Sequence, residues 1–157
     1  MKRMLLCFTA TACLLLCSLA VHAEEISAAS LSSIIQAEIP VKFGYVDNTE
    51  YCMQYELKGL PGIDDSHIVV CADATNFNEI GVFHVESAAN AKRCVKQLSE
   101  YLKQRNTRFQ NGVIYDINEY PKFENAKVTV LGSYIIYTIL TPTDTTQALR
   151  AAEAALK

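Results

Sequence analysis

A long amphipathic helix, predicted from about Ser87 to Arg108, sets the strongest limit on how this chain can fold. At about 3.6 residues per turn, its apolar side chains fall within one arc and its lysines lie on the opposite side. The apolar arc contains Ala91, Cys94, Val95, Leu98, Tyr101 and Leu102. The lysines are Lys92, Lys96 and Lys103. We therefore expect this helix to pack on a sheet with one face and to meet solvent with the other.

Two predicted pairs of strands flank the helix and supply that sheet. Before it, short apolar runs at residues 67–72 and 79–85 are separated by turn-forming residues, which is typical of a hairpin. After it, residues 127–131 and 134–140 surround a tight Gly-Ser turn. Two hairpins separated by a helix favour an antiparallel sheet over a parallel one.

Three further helices are predicted, two before the first hairpin and one at the end of the chain. Ser27 fits the N-cap of the first, whose apolar residues keep the spacing of one face until Pro40 ends it. Those apolar residues are Leu31, Ile34, Ile35 and Ile39. A capping-box pattern begins at Asp47 and again at Asp144. A strand remains an alternative after Asp47, because the tyrosines and the cysteine there are poor helix formers.

The predicted element order, α-α-β-β-α-β-β-α, indicates the α+β class. We expect one domain over residues 24–157, with an antiparallel sheet of about four strands from two hairpins and helices mainly on one face. Half of the residues are apolar and 20% are charged, which excludes a disordered chain. A chain of 157 residues leaves little room for a second core.

Residues 1–23 have the organisation of a signal peptide. A short basic start precedes an apolar run at residues 4–20, and residues 21–23 offer small or branched side chains to a signal peptidase. A polar chain begins directly afterwards at Glu24. We expect cleavage after Ala23 and a secreted or extracytoplasmic protein, with no transmembrane segment after cleavage.

Two alternatives remain for this leader. An apolar run of about 17 residues is at the lower limit for spanning a bilayer, so a retained anchor is one of them. Lipid attachment at Cys13, which follows small residues, is the other. Its apolar run is short for a lipoprotein signal, so we place lipid anchoring behind cleavage after Ala23.

Beyond the leader the chain has three cysteines, Cys52, Cys71 and Cys94. Three thiols allow at most one internal bridge, and a Cys52–Cys71 bridge is one option beside three buried thiols. None of the three has the spacing of a zinc or redox motif. The sequence therefore indicates neither a structural metal nor a cofactor.

Several short motifs, taken in their order, resemble one known family. They are Asn78-Glu79-Ile80-Gly81-Val82-Phe83, the basic amphipathic helix after it, Phe109-Gln110-Asn111-Gly112 and Val128-Thr129-Val130-Leu131-Gly132-Ser133-Tyr134. From about Ala28 to Leu156, the chain is similar to the DUF 4358 family, a domain of unknown function found in small bacterial exported proteins. The resemblance implies export, often with a signal or lipoprotein leader. It implies no activity, ligand or catalytic residue.

Candidate catalytic residues are few and lie on the first hairpin. The chain contains no GxSxG, HExxH, Walker or Rossmann pattern. His67 and His84 would face each other in one strand register, with Cys71 further along the same face, as a transition-metal site would require. Glu79 with Asp73 across the turn is a candidate acid–base pair. Solvated side chains at a strand edge or turn are the plainer interpretation of the two histidines and the two acids.

The charges suggest a surface for binding instead. Residues 87–109 carry six basic side chains and one acidic one, whereas residues 24–86 carry two basic and eleven acidic ones. Such polarity attracts anionic partners. We take Lys92, Lys96 and Lys103 as a candidate ligand or partner surface. The tyrosines Tyr115 and Tyr120, in the loop after the helix, are added to it as an aromatic platform.

The sequence therefore favours a small exported binding or interaction module, with a polymer or protein of the cell envelope as its partner. A small extracytoplasmic enzyme or inhibitor that uses His67, Glu79 and His84 is the alternative. An envelope structural component is the third interpretation. Nucleic acid is not an expected partner, because the chain is acidic overall and carries an export signal.

Overall fold

The computed structural model describes residues 25–112 and 116–157. The predicted signal peptide, residues 1–23, and the candidate Tyr115 lie outside these ranges. Within them, no helix has the length and apolar character needed to cross a membrane.

The described part of the chain forms one sheet of five strands, in the order β1-β2-β3-β5-β4. The strands are β1 (Tyr45–Asp47), β2 (Ile63–Cys71), β3 (Glu79–Val85), β4 (Lys127–Leu131) and β5 (Tyr134–Ile139). Every neighbouring pair is antiparallel. The α+β class with an antiparallel sheet is therefore confirmed. The additional strand, β1, pairs with the end of β2 and is only three residues long, so it carries no alternation that a sequence pattern could reveal.

The four predicted helices are present, and the described residues contain one helix that was not predicted, α4. Among the described residues the helices are α1 (Ala28–Glu38), α2 (Thr49–Tyr51), α3 (Ala88–Asn111), α4 (Tyr120–Glu124) and α5 (Pro142–Ala155). A π-helical turn, Cys52–Glu56, continues α2. The long helix α3 begins as expected, since the Ser87 side chain accepts a hydrogen bond from the backbone N–H of Asn90. The last helix begins earlier than expected, because Thr141 rather than Asp144 is its N-cap.

The helices cover both faces of the sheet, rather than mainly one as the sequence suggested. α1 and α5 pack on one face over Ile80, Val82 and Ile136. α3 and α4 pack on the other face over Phe83 and Ile135. Neighbouring residues of a strand point to opposite faces, and here both sets are apolar and buried. A sheet buried on both faces needs helices on both faces.

The three cysteines beyond the leader are free thiols, and all are buried. The structure thus contains no Cys52–Cys71 bridge, and the buried-thiol alternative is the one it adopts. Burial raises the pKa of Cys52 to about 11, with the charges of Glu79 and Glu56 adding to the effect. Such a thiol stays protonated near neutral pH.

Candidate functional site

The two hairpin histidines lie on the same face of the sheet but not opposite each other. In the β2–β3 register His67 pairs with Val82, and His84 pairs with Asp65, two positions along the strand. The register that would have made them direct neighbours is not the one adopted. Among the residues that the structure describes, no three His, Cys, Asp or Glu side chains are placed to hold a metal ion.

Each histidine has its own carboxylate partner. His84 Nδ1 lies 2.7 Å from Asp64 Oδ1, and its Nε2 contacts Glu25. His67 Nε2 lies 3.7 Å from Asp47 Oδ2. Burial lowers the pKa of His84, but the hydrogen bond and charge of Asp64 and the charge of Glu25 outweigh burial and hold that pKa above its ordinary value. His84 therefore links the sheet to the segment that precedes α1.

Glu79 lies on the opposite face of the sheet, beneath α3, and is only 1% exposed. Its Oε1 accepts hydrogen bonds from the hydroxyls of Tyr101 (2.6 Å) and Tyr137 (2.7 Å). Its Oε2 accepts one from Arg105 Nη2 at 2.7 Å. We call these four residues the Glu79 cluster. Three donors occupy the carboxylate, so it is not free to act as a base on a substrate.

The structure therefore does not bring the catalytic candidates together. Glu79 is separated from His67 and His84 by the sheet itself. Asp73, the proposed partner of Glu79, is partly exposed and accepts hydrogen bonds from the backbone N–H and the hydroxyl of Thr75. These two bonds form a local turn and give Asp73 a structural role.

The three candidate lysines form one line along the outer face of α3, which we call the lysine stripe. Lys92, Lys96 and Lys103 are all exposed. Their spacing of four and then seven residues keeps them on one side of the helix. Two arginines of α3 form ion pairs, Arg105 with Glu79 and Arg108 with Glu56. Within residues 25–112 and 116–157, the three lysines form none.

A groove of about 260 Å³ runs beside the stripe, between α3 and β4. Its apolar side is formed by Leu102, Phe123 and Val128, and its polar lining includes Lys103, Lys127, Asn106 and the acidic Glu124. We call it the α3–β4 groove. Lys103 belongs to both the stripe and the groove and so joins them into one surface, which we call the basic surface because its lysines outnumber the single acidic side chain, Glu124. Lys127 and Asn106 were not among the sequence candidates, because only the packing of β4 against α3 places them beside Lys103.

The short helix α4 closes one end of this groove and is fixed by buried polar contacts. Glu119 Oε2 accepts hydrogen bonds from the backbone N–H of Phe77 (2.8 Å) and from Lys122 Nζ (2.6 Å). The stacked rings of Phe109 and Phe123, with centroids 4.2 Å apart, fasten α4 to the end of α3. The groove therefore has a rigid wall at this end.

Tyr120 lies at the start of α4, beyond the end of the stripe. It is 37% exposed, and its hydroxyl accepts a hydrogen bond from Gln110 Nε2 at 3.3 Å. It does not line the groove.

A larger hollow, of about 480 Å³, lies between the β4–β5 turn and the end of α5. It is lined by Leu131, Tyr134 and Leu156 among others and contains none of the candidate residues. Its two charged side chains, Glu153 and Lys157, are of opposite sign, so it has no excess of positive charge.

Comparison with known proteins gives a family but no function. No curated protein and no solved structure matches the chain significantly. The sequence model of a family described as a domain of unknown function, DUF4358, matches residues 47–140, which is more than half of the chain. The matched region runs from β1 through β5 and includes the Glu79 cluster, the lysine stripe and the α3–β4 groove. This protein therefore belongs to the DUF4358 family.

Proposed function

We propose that the protein is an exported binding module whose contact surface for an anionic partner is the lysine stripe together with the α3–β4 groove. The observation that carries this proposal is the absence of ion pairs at Lys92, Lys96 and Lys103 among the described residues, on a helix whose Arg105 and Arg108 do form them. Unpaired charges of one sign in a line attract an oppositely charged partner and raise its association rate.

The arrangement of the other polar residues supports binding over catalysis. His67 and His84 have their own carboxylates, and the carboxylate of Glu79 is occupied by three donors. The groove is the described hollow that joins the lysine stripe, and it combines an apolar side with two lysines and one carboxylate. Such a combination suits recognition of a polar ligand more than a proton-transfer reaction.

Export is part of the same proposal and rests on the leader sequence. A basic start, an apolar run and small residues before Glu24 are the marks of a cleaved signal. Mass spectrometry of the protein released by its own cells should find Glu24 as the first residue. A lipid-modified Cys13 at the N-terminus would contradict cleavage after Ala23.

Charge reversal tests the binding surface. The variant Lys92→Glu/Lys96→Glu/Lys103→Glu should be retained on anionic cell-envelope material at least about tenfold less than the wild type, because attraction becomes repulsion at three sites. The control Lys42→Glu/Arg150→Glu/Lys157→Glu makes the same change in net charge at exposed positions away from α3. Its retention should exceed that of the stripe variant by a similar factor. Equal retention of the two variants would refute the proposal.

A further inference from the structure

We propose that the partner presents an extended acidic peptide segment, which pairs with the open edge of β4 and places side chains in the α3–β4 groove. This inference rests on the proposed function, since it names the partner of the same basic surface. It adds one structural claim, that recognition uses the backbone of β4 as well as the lysines.

The edge of β4 is open for pairing in the part of the chain that the structure describes. The sheet ends at β4, which pairs only with β5. In an antiparallel pair, alternate residues direct their backbone N–H and C=O groups away from the partner strand. No other described backbone segment or side chain bonds residues 127–131. These outward groups can therefore bind an added strand, as sheet edges do in other peptide-binding proteins.

The groove lies where an added strand would place its side chains. Val128 and Val130 of β4 face the α3 side, since they pair with Tyr137 and Ile135 of the α3 core cluster. Val130 is 47% exposed, so its side chain is accessible to a strand added beside β4. Every second side chain of an added strand would reach this side. Apolar side chains would contact the valines there, and acidic ones would reach Lys103.

The length of β4 and the length of the lysine stripe on α3 both match one short peptide segment. The five residues of β4 extend about 17 Å, and the helix rises about 16 Å between Lys92 and Lys103. A segment of about five residues is therefore long enough to follow either element from end to end. Lys127, at the start of β4, adds positive charge on the strand itself.

Charge selects an acidic partner over a second copy of this chain. Antiparallel pairing of two β4 edges would place both α3 helices on the same face of the joined sheets and bring two lysine stripes together. Like charges brought together oppose association, whereas an acidic strand is attracted. The other edge of the sheet, β1, is three residues long and carries exposed Asp47, which disfavours an acidic segment there.

A labelled synthetic peptide, Glu-Thr-Val-Thr-Val-Thr-Glu, tests the inference with the purified protein, since its Glu and Val side chains all lie on one face of an extended strand. Fluorescence anisotropy should show binding, and hydrogen exchange should show slowed amide exchange at residues 127–131. Lys103→Glu/Lys127→Glu should weaken binding about tenfold, whereas the control Lys42→Glu/Arg150→Glu should not. A peptide N-methylated at alternate residues keeps its charges but loses backbone donors. It should bind about tenfold more weakly without any change to the protein.

The outcomes separate this inference from the proposed function. Equal binding of the methylated peptide, or unchanged exchange at residues 127–131, would overturn strand pairing while leaving the basic surface intact. If the peptide does not bind at millimolar concentration but the stripe variant still loses envelope retention, strand pairing is overturned and the proposed function stands. Slow exchange at β4 in a dimer without peptide would assign this edge to a second copy and overturn the inference. Equal envelope retention of the stripe variant and its control would refute the proposed function itself.

Discussion

Among single residues, Glu79 shows how a buried carboxylate can be fully satisfied by distant parts of the chain. Its partners lie on α3 and β5 and are 22 to 58 residues away in sequence. Burial, followed by the charge of Glu79, raises the pKa of both Tyr101 and Tyr137. Both hydroxyls therefore remain protonated donors. The cluster joins the sheet to its covering helix by polar contacts within an apolar core.

Removing the charge of Glu79 should be costly. Glu79→Gln leaves the largely buried Arg105 without its counter-ion and replaces an acceptor oxygen by an amide that cannot satisfy the same donors. We expect the free energy of unfolding to fall by about 3 kcal/mol. Urea unfolding followed by circular dichroism measures this difference. Glu86→Gln, the same change at an exposed residue after β3, should alter stability by less than about 0.5 kcal/mol. A similarly small loss of stability in Glu79→Gln would mean that the hydrogen bonds and the ion pair of Glu79 contribute little to the free energy of unfolding.

Sequence patterns could not have predicted the Glu79 cluster. Tyr101 was placed correctly in the apolar arc of α3, and the strand that carries Tyr137 was also predicted. Their meeting at Glu79 depends on the pairing of β3 with β5 and on where α3 crosses the sheet. Both are long-range properties, and local periodicity contains no information about them.

At the scale of secondary-structure elements, the strongly periodic segments were predictable and the short ones were not. The amphipathic pattern predicted α3 to within a few residues, and the apolar runs predicted β3 to β5 closely, whereas β2 begins at Ile63, four residues before the predicted run. β1 has three residues and α4 has five, fewer than a periodic pattern needs. These two are held by tertiary contacts, such as those of Glu119 and Phe123 at α4.

The helix α1 provides a second prediction, because two adjacent isoleucines differ in environment. Both were assigned to its apolar face, but Ile35 is fully buried against the sheet and α5, whereas Ile34 is 39% exposed. Ile35→Ala should reduce the free energy of unfolding by about 3 kcal/mol, because it leaves a cavity in the core.

Ile34→Ala is the matched control, since it removes the same atoms from the same helix. We expect it to cost less than about 1 kcal/mol. Chemical denaturation of both variants gives the comparison. Equal losses would show that α1 does not hold the orientation described here.

For the molecule as a whole, the candidate surface was only partly visible in the sequence. The spacing of Lys92, Lys96 and Lys103 placed them together on the outer face of α3, and they lie there. The groove beside them was not predictable, because Lys127 and Asn106 meet Lys103 only through packing of β4 against α3. The hairpin pattern placed Glu79 with the histidines in sequence, whereas the two faces of the sheet separate them in space.

The attachment of the chain's first described residues to the sheet should make stability depend on pH. Glu25 contacts His84, the Tyr134 hydroxyl donates to the carbonyl of Ile26, and Asp65 accepts from the backbone N–H of Ala28. The pKa of His84 is raised in the folded state, so its stabilising contribution is complete below its usual pKa of about 6.5. That contribution is lost as the pH rises through the raised value.

The difference in unfolding free energy between the wild type and His84→Gln should therefore shrink as the pH rises from about 5.5 to about 8.5. Asp64→Asn removes the main partner of His84 and should flatten this dependence while keeping the histidine. A difference that grows with pH, or that persists unchanged in the Asp64→Asn background, would show that His84 does not act through its carboxylates.

The packing of α1 and α5 on one face of the sheet has a further consequence for how this molecule can be displayed. These helices begin and end the described fold, and they lie on the side opposite α3. A surface, scaffold or fusion partner that holds the domain by either of them is therefore on the far side from the lysines. The domain would then be held on its α1 and α5 side, with the lysine stripe directed into the surrounding medium.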